Sequence, residues 1–217
     1  MIDAIKNLSK KYKISVVGGG TLKNITTQLG IAIEYVEYIF SENGTVVYKG
    51  KDLINKLDLR TKLGEVLLKR LINFLLKYMS NLDLPFKRGT FIEFRTGLLN
   101  ISPVGRNCTL DERELFAAYD KENKILKTFK ETIENEFKDE QISICYGGKI
   151  SIDLYPTDWS KALCLSFLDQ EAYDIIFFGD KIYEGGNDYD IAIDKRVSKY
   201  FKVSNPNHTI ELLAEYL

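Results

Sequence analysis

Asp180 and Asp188 bracket a short loop whose make-up suits a hard cation. The apolar run DIIFF leads into Gly179, Asp180 and Lys181, and then Gly185, Gly186, Asn187 and Asp188 follow. In open α/β sheets, ligands bind at the carboxyl ends of strands, so a buried strand ending here delivers acidic oxygens to the expected crevice. Magnesium takes carboxylate, carbonyl and water oxygens in an octahedral array, and glycines let backbone approach closely. Asp180 and Asp188 are therefore candidate metal ligands. A plain polar loop rich in turn residues reads equally well from this segment alone.

A second group of residues suits a phosphorylated ligand. In the segment RGTFIEFRTGLLNISPVGRNCTLDER, Glu93 and Arg95 share one face of a strand, while Ile92 and Phe94 point the other way. Arg106 precedes a capping box, Thr109 with Glu112, which places it beside the positive end of a helix, and Arg113 follows in the first turns. Guanidinium forks grip phosphate two-pronged and a helix N-terminus adds unpaired N–H groups. Any one of these arginines is more readily a solvated surface residue; the three together carry more weight, as a set that can grip a phosphorylated substrate. In KISIDLY, Ser151 and Asp153 alternate onto one face opposite Ile150, Ile152 and Leu154, a hydroxyl and a carboxylate fit for sugar hydroxyls. That strand taken alone also reads as half-buried with its polar face in water.

The elements that must hold these residues fall into three blocks. Residues 1–53 read as a helix, the strand KISVV, a glycine turn, a second helix and a short strand pair across SENGTVVY. Residues 54–156 read as a long helix, the strands TFIEFR and LLNIS, a second long helix, and the strands ISICYG and KISIDLY. Residues 157–217 return to α/β grammar, with a helix from Trp159 to Leu168, the strand DIIFF, the acidic loop and a last helix from Pro206. With 217 residues, 45% hydrophobic, this is a core interrupted by an antiparallel α+β insert.

Composition narrows the partners. Thirty basic against 31 acidic residues leave a net charge of −1, so no global field favours nucleic acid or an anionic membrane. The most apolar stretch, Leu67 to Met79, is broken by Lys69, Arg70 and Lys77 and is too short to span a bilayer. Cys108, Cys145 and Cys164 are odd in number and form no C-x-x-C pair, which fits a reducing, cytoplasmic setting. His208, beside Pro206, reads as solvated surface.

The ordered runs VVGG, SENG, RGTFIEFR, LLNISPVGR, GGKISIDLYP, WSK, FFGDK and GGND span nearly the whole chain, and through them it resembles the eukaryotic-type phosphomannomutases. The resemblance implies a haloacid-dehalogenase-like, Rossmann-type α/β core with an inserted α+β cap that binds substrate and dimerises. It implies a hexose phosphate substrate, Mg2+, a sugar 1,6-bisphosphate activator, a homodimer through the cap and a role in GDP-mannose synthesis. By position, Arg95, Arg106, Arg113, Ser151 and Asp153 fall where the family binds substrate. Asp180 falls at the catalytic magnesium ligand with Asp188 beside it, and Lys161 at the lysine that steadies the phosphoryl group. A further metal-binding turn matches the backbone of Ala192, the side chain of Asp194, and Val197, with valine where the family has a hydroxyl.

Two departures matter. The family's D-x-D-G-T run, whose first aspartate attacks phosphorus and whose second moves the proton, does not occur here. The D-x-D of Asp188 and Asp190 lies in the late loop, and Asp3 sits in a helical pattern. The missing strand belongs between KISVV and DIIFF, so those strands are expected to face each other across a gap, to pair directly or to recruit a strand from elsewhere. Met1 aligns inside the family's first helix, which suggests a truncated gene model. The chain is expected to be inactive or strongly impaired; the alternative is a catalytically silent sugar-phosphate-binding homologue that dimerises through its cap. A phosphatase of the same class needs the same absent aspartate. The other departure is Gly20 and Thr21, where the family has serine and aspartate after two glycines. Either Thr21 supplies a hydroxyl one residue later, or Gly18, Gly19 and Gly20 form a flexible turn that offers backbone N–H groups.

Overall fold

The computed structural model describes residues 1–169 and 171–216. In chain order it runs α1 (Ile2–Leu8), β1 (Ser15–Val17), α2 (Leu22–Leu29), β2 (Tyr38–Ser41), β3 (Val46–Lys49), β4 (Asp52–Lys56), α3 (Leu59–Ser80), β5 (Ile92–Phe94), β6 (Leu99–Ile101), α4 (Leu110–Asn123), α5 (Ile125–Glu136), β7 (Ile142–Tyr146), β8 (Ile152–Pro156), β9 (Ile175–Gly179), α6 (Tyr189–Ala192), β10 (Val197–Lys202) and α7 (Pro206–Leu213). These elements make two compact units, one of Met1–Leu57 with Asp158–Leu217 and one of Asp58–Thr157.

The first unit holds two sheets. One has the order β1-β2-β3-β4, with β1 and β2 parallel and the rest antiparallel; the other is the parallel pair β10-β9. Strands β1 and β9 do not pair with each other. Their residues Ser15 to Val17 and Ile175 to Phe177 instead line a cavity of about 860 Å³, together with Phe40, Leu165 and Ile191. A five-residue strand in a packed sheet takes up about 800 Å³, from its roughly 17 Å length, 4.8 Å strand spacing and 10 Å layer spacing. Within this chain the two strands therefore lie apart rather than paired directly. The layer beneath is held by Phe40, Val47, Cys164, Leu165 and Ile191.

Two helices differ from their sequence patterns. The region expected to be helical from Trp159 to Leu168 is a 3-10 helix over Lys161–Phe167. Its tighter winding goes with a close approach to Gly44, whose φ of 90° and 3.2 Å clearance from the Cys164 amide for an added Cβ admit no side chain. In the second unit, the expected second long helix is split into α4 and α5, because Lys124 takes a left-handed φ of 57°. Asp120 closes that break by accepting a 2.7 Å hydrogen bond from the Leu126 amide.

The second unit is a four-stranded antiparallel sheet of order β5-β6-β8-β7. Leu68, Leu71, Leu75 and Met79 recur at helical spacing along α3, and Leu126, Phe129 and Ile133 do so along α5; all are buried. Contacts run from α3 to β8 and from α5 to β7, so the helices cover one face of the sheet and leave its polar row on the other.

Candidate functional site

Cross-strand register builds the polar row of the second unit. Glu93 lies opposite Asn100 across β5 and β6, and Asn100 lies opposite Asp153 across β6 and β8. Partners in an antiparallel pair point to the same face, so three polar side chains from three strands meet side by side. The Asn100 amide joins them: Nδ2 donates to Asp153 Oδ1 at 2.6 Å and to Ser151 Oγ at 3.2 Å, and Oδ1 accepts from Arg106 Nη1 at 2.7 Å. Arg106 Nε lies 2.9 Å from Glu93 Oε2, an ion pair. The same Glu93 oxygen accepts from Arg95 Nε at 3.0 Å and Nη2 at 2.5 Å.

Arg113 acts from the first turn of α4. The capping box forms as expected, Thr109 Oγ1 accepting from the Glu112 amide and Glu112 Oε2 accepting from the Thr109 amide. Arg113 Nη2 then donates 2.8 Å to the Arg106 carbonyl and so fixes the loop that carries Arg106. Burial pulls the Arg106 guanidinium below its ordinary value; Glu93 opposes this, and Arg95 and Arg113 add to it. Among the described residues, Arg106 Nη2 and Arg113 Nη1 have no hydrogen-bond acceptor. Arg95, Arg106, Arg113, Ser151 and Asp153 are thus brought together, and Glu93 and Asn100 are the members whose roles sequence reasoning missed. Their signal was register, which needs the pairing of β5, β6 and β8.

Gly105 makes the bend before Arg106. Its φ is 91°, and an added Cβ would lie 2.2 Å from the Gly89 carbonyl oxygen. Gly105→Ala is expected to destabilise the protein by about 3 kcal/mol, through backbone strain and a clash with an unyielding main chain. A urea midpoint unchanged from wild type would contradict this.

In the first unit, Lys161 Nζ donates to Asp188 Oδ1 at 2.6 Å, with the two side chains only 9% and 4% exposed. Asp188 Oδ2 accepts from the backbone amides of Asp180 at 3.1 Å and Lys181 at 3.0 Å. The loop wraps so tightly that a Cβ on Gly179 would meet that oxygen at 2.9 Å. Burial pushes the Asp188 carboxyl up, but the Lys161 charge and hydrogen bond and the two amides together hold it below the ordinary carboxylate value. Asp180 is exposed, and Asn187 Oδ1, in the same loop, is buried with no partner.

Oxygens of this kind fit a hard divalent cation. Magnesium binds through one or two carboxylates and fills its other positions with water and phosphate oxygens. Asp180 and the orphaned Asn187 amide oxygen can supply the protein's share, while Asp188, already saturated with donors, orients the loop. Among the described residues no three His, Cys, Asp or Glu side chains converge on a cation. The later turn is arranged differently: Asp194 accepts from Arg196 Nε and Nη2, both at 2.8 Å, and Arg196 Nη2 also donates to the Ala162 carbonyl. A guanidinium thus occupies the Asp194 carboxylate, with Ala192 ending α6 and Val197 opening β10.

The glycine turn after β1 is fastened to the SENG segment. The Gly18 amide donates to the Phe40 carbonyl, and the Gly18 and Gly20 carbonyls accept from the amides of Asn43 and Glu42. Thr21 caps α2, its hydroxyl accepting from the Asn24 amide at 3.4 Å. Asn43 Oδ1 is a second buried acceptor without a donor.

Solved structures share this architecture. A haloacid dehalogenase-like hydrolase from Bacteroides thetaiotaomicron, 12% identical, superposes with a TM-score of 0.58 over 99% of this chain and 90% of its own. A sugar phosphatase of haloacid-dehalogenase subclass IIB, also 12% identical, gives 0.59 over 99% and 90%. The fold is therefore that of the haloacid-dehalogenase class, an α/β core with an inserted α+β unit. Within that class, the family model for eukaryotic phosphomannomutase matches residues 1–217. Phosphomannomutase 2 of Dictyostelium discoideum is 44% identical over 218 residues, covering 100% of this chain and 88% of that protein. Human phosphomannomutase 1 is 46% identical over 215 residues, covering 97% and 82%. The chain belongs to the eukaryotic phosphomannomutase family.

Proposed function

We propose that the chemistry this chain is built for is that of a phosphomannomutase, the interconversion of mannose 6-phosphate and mannose 1-phosphate that supplies GDP-mannose synthesis. The observation that carries this reading is the polar row of Glu93, Asn100 and Asp153, with Arg106 and Arg113 holding unspent donors beside it. Guanidinium donors suit the phosphate of the substrate, and Asp153 and Ser151 suit its hydroxyls. Lys161 steadies the phosphoryl group to be transferred, and Asp188 holds the Lys161 ammonium in place. Magnesium, held by Asp180 and Asn187, would offset phosphoryl charge. A sugar 1,6-bisphosphate activator, a cytoplasmic location and a homodimer through the Asp58–Thr157 unit belong to the same proposal. The exposed Val66, Leu110 and Leu115 of that unit support the last of these.

Calorimetric titration with mannose 6-phosphate tests the reading. Arg106→Ala is expected to weaken binding by about 1.5–3 kcal/mol, the scale of a charge-assisted hydrogen bond. Unchanged affinity removes Arg106 from the site. The second reading, a silent sugar-phosphate-binding homologue, predicts the same binding with no turnover.

A further inference from the structure

Glu93 stands in an unusual position for a carboxylate in an anion site. Its Oε2 accepts two hydrogen bonds from Arg95, Nε at 3.0 Å and Nη2 at 2.5 Å, and forms an ion pair with Arg106, whose Nε lies 2.9 Å away. The Arg95 side chain is 6% exposed and that of Glu93 is 34% exposed, so the pair sits with its cation inside and its anion toward solvent. A forked pair of N–H groups from one guanidinium with a second guanidinium charge beside it is what a phosphate oxygen meets when bound. A buried guanidinium without an anion would be strongly disfavoured, and Glu93 supplies that anion in the free protein.

We propose that Glu93 is an internal stand-in for the ligand's phosphate, a positioning residue that keeps the Arg95 and Arg106 forks converged and competes with the incoming anion for them. This rests on the reading of the Asp58–Thr157 unit as a sugar-phosphate site. Two consequences follow from the charge balance. A negative charge within hydrogen-bonding distance of both arginines opposes a second anion at the same forks, so phosphate alone binds weakly. A sugar phosphate binds better because its hydroxyls add contacts at Ser151 and Asp153, which are held by the Asn100 amide rather than by Glu93. Glu93 thereby sets selectivity for sugar phosphates over inorganic phosphate.

The test is titration of the 217-residue chain with inorganic phosphate and with mannose 6-phosphate, in wild type and in Glu93→Gln. The amide keeps the size of the side chain but removes the competing charge. Inorganic phosphate is expected to bind Glu93→Gln about tenfold more tightly than wild type, mannose 6-phosphate to gain less, and the preference for the sugar phosphate to narrow. The melting temperature of the variant is expected to rise more with added phosphate than that of wild type, because the anion replaces the lost carboxylate. A residue that merely supports the fold can lose affinity when changed but does not improve it. Equal or weaker phosphate binding by Glu93→Gln, with wild type binding mannose 6-phosphate, overturns the stand-in role alone. Failure of wild type to bind the sugar phosphate overturns the site itself. If Glu93→Gln does not fold, Glu93→Asp decides: its shorter carboxylate cannot span both forks, so phosphate is expected to bind more tightly, and no gain sinks the idea.

Discussion

Incubated with mannose 6-phosphate, magnesium and a sugar 1,6-bisphosphate, the 217-residue chain is expected to form no phosphoenzyme and to turn over at a rate about 10⁶-fold below that of a relative with the complete motif, the scale on which removal of a catalytic nucleophile acts. Phosphoryl transfer by this route requires a carboxylate free to attack phosphorus. Asp188 cannot serve, because it is 4% exposed and both its oxygens are bound by Lys161 and two backbone amides. Asp194 is bound by Arg196. In the proposed site Asp180 is committed to the cation as an oxygen ligand. The cavity between β1 and β9 suggests the complementary experiment: a variant extended at its N-terminus by an apolar strand ending in D-x-D-G-T is expected to regain turnover and to melt at a higher temperature. Acid-stable radiolabel on the unextended chain, or a rate matching that of a relative, would falsify the assignment of its missing step.

Local signals carried much of this to the surface of the sequence. The capping box of Thr109 and Glu112, the apolar stripe of α3 and the period-two alternation around Asp153 each follow from a spacing rule, and the structure contains all three. The convergence of Arg95, Arg106 and Arg113 was legible for the same reason, since each sits at a chain position that fixes its direction. What was not legible depends on register or on left-handed backbone. Glu93 and Asn100 read as ordinary strand residues until β5, β6 and β8 are paired, and Asn187 reads as one more loop amide until burial leaves its oxygen without a donor. Lys124 gives no hint of φ 57°, because its helix propensity is good and Asp120, not Lys124, closes the turn. The role of Arg196 was hidden because a spacing that suits a metal turn also suits a guanidinium two residues beyond a carboxylate.

The Lys161–Asp188 pair is where a single substitution should disturb the fold most. Both side chains are nearly sealed from water, so neither charge can be solvated if its partner is lost, and breaking such a pair from one side is strongly destabilising. Asp188→Ala also strips the acceptor from the Asp180 and Lys181 amides, which leaves two more donors unpaired in a tight loop. The expected loss is about 3–5 kcal/mol by urea unfolding. Replacing both partners, Asp188→Ala with Lys161→Met, is expected to recover a large part of that loss, because the buried cation then disappears as well. The pH dependence has a definite sign. Because Lys161 and the loop amides hold the Asp188 carboxyl below its ordinary value, the contribution of the pair is complete above the usual carboxylate range and fades as pH falls through the depressed value. Wild type should therefore lose stability on the acid side more steeply than the double variant, whose site no longer titrates. Parallel acid limbs for the two proteins, or a single variant no weaker than the double, would show that the pair is not what holds the Asp180–Asp188 loop in shape.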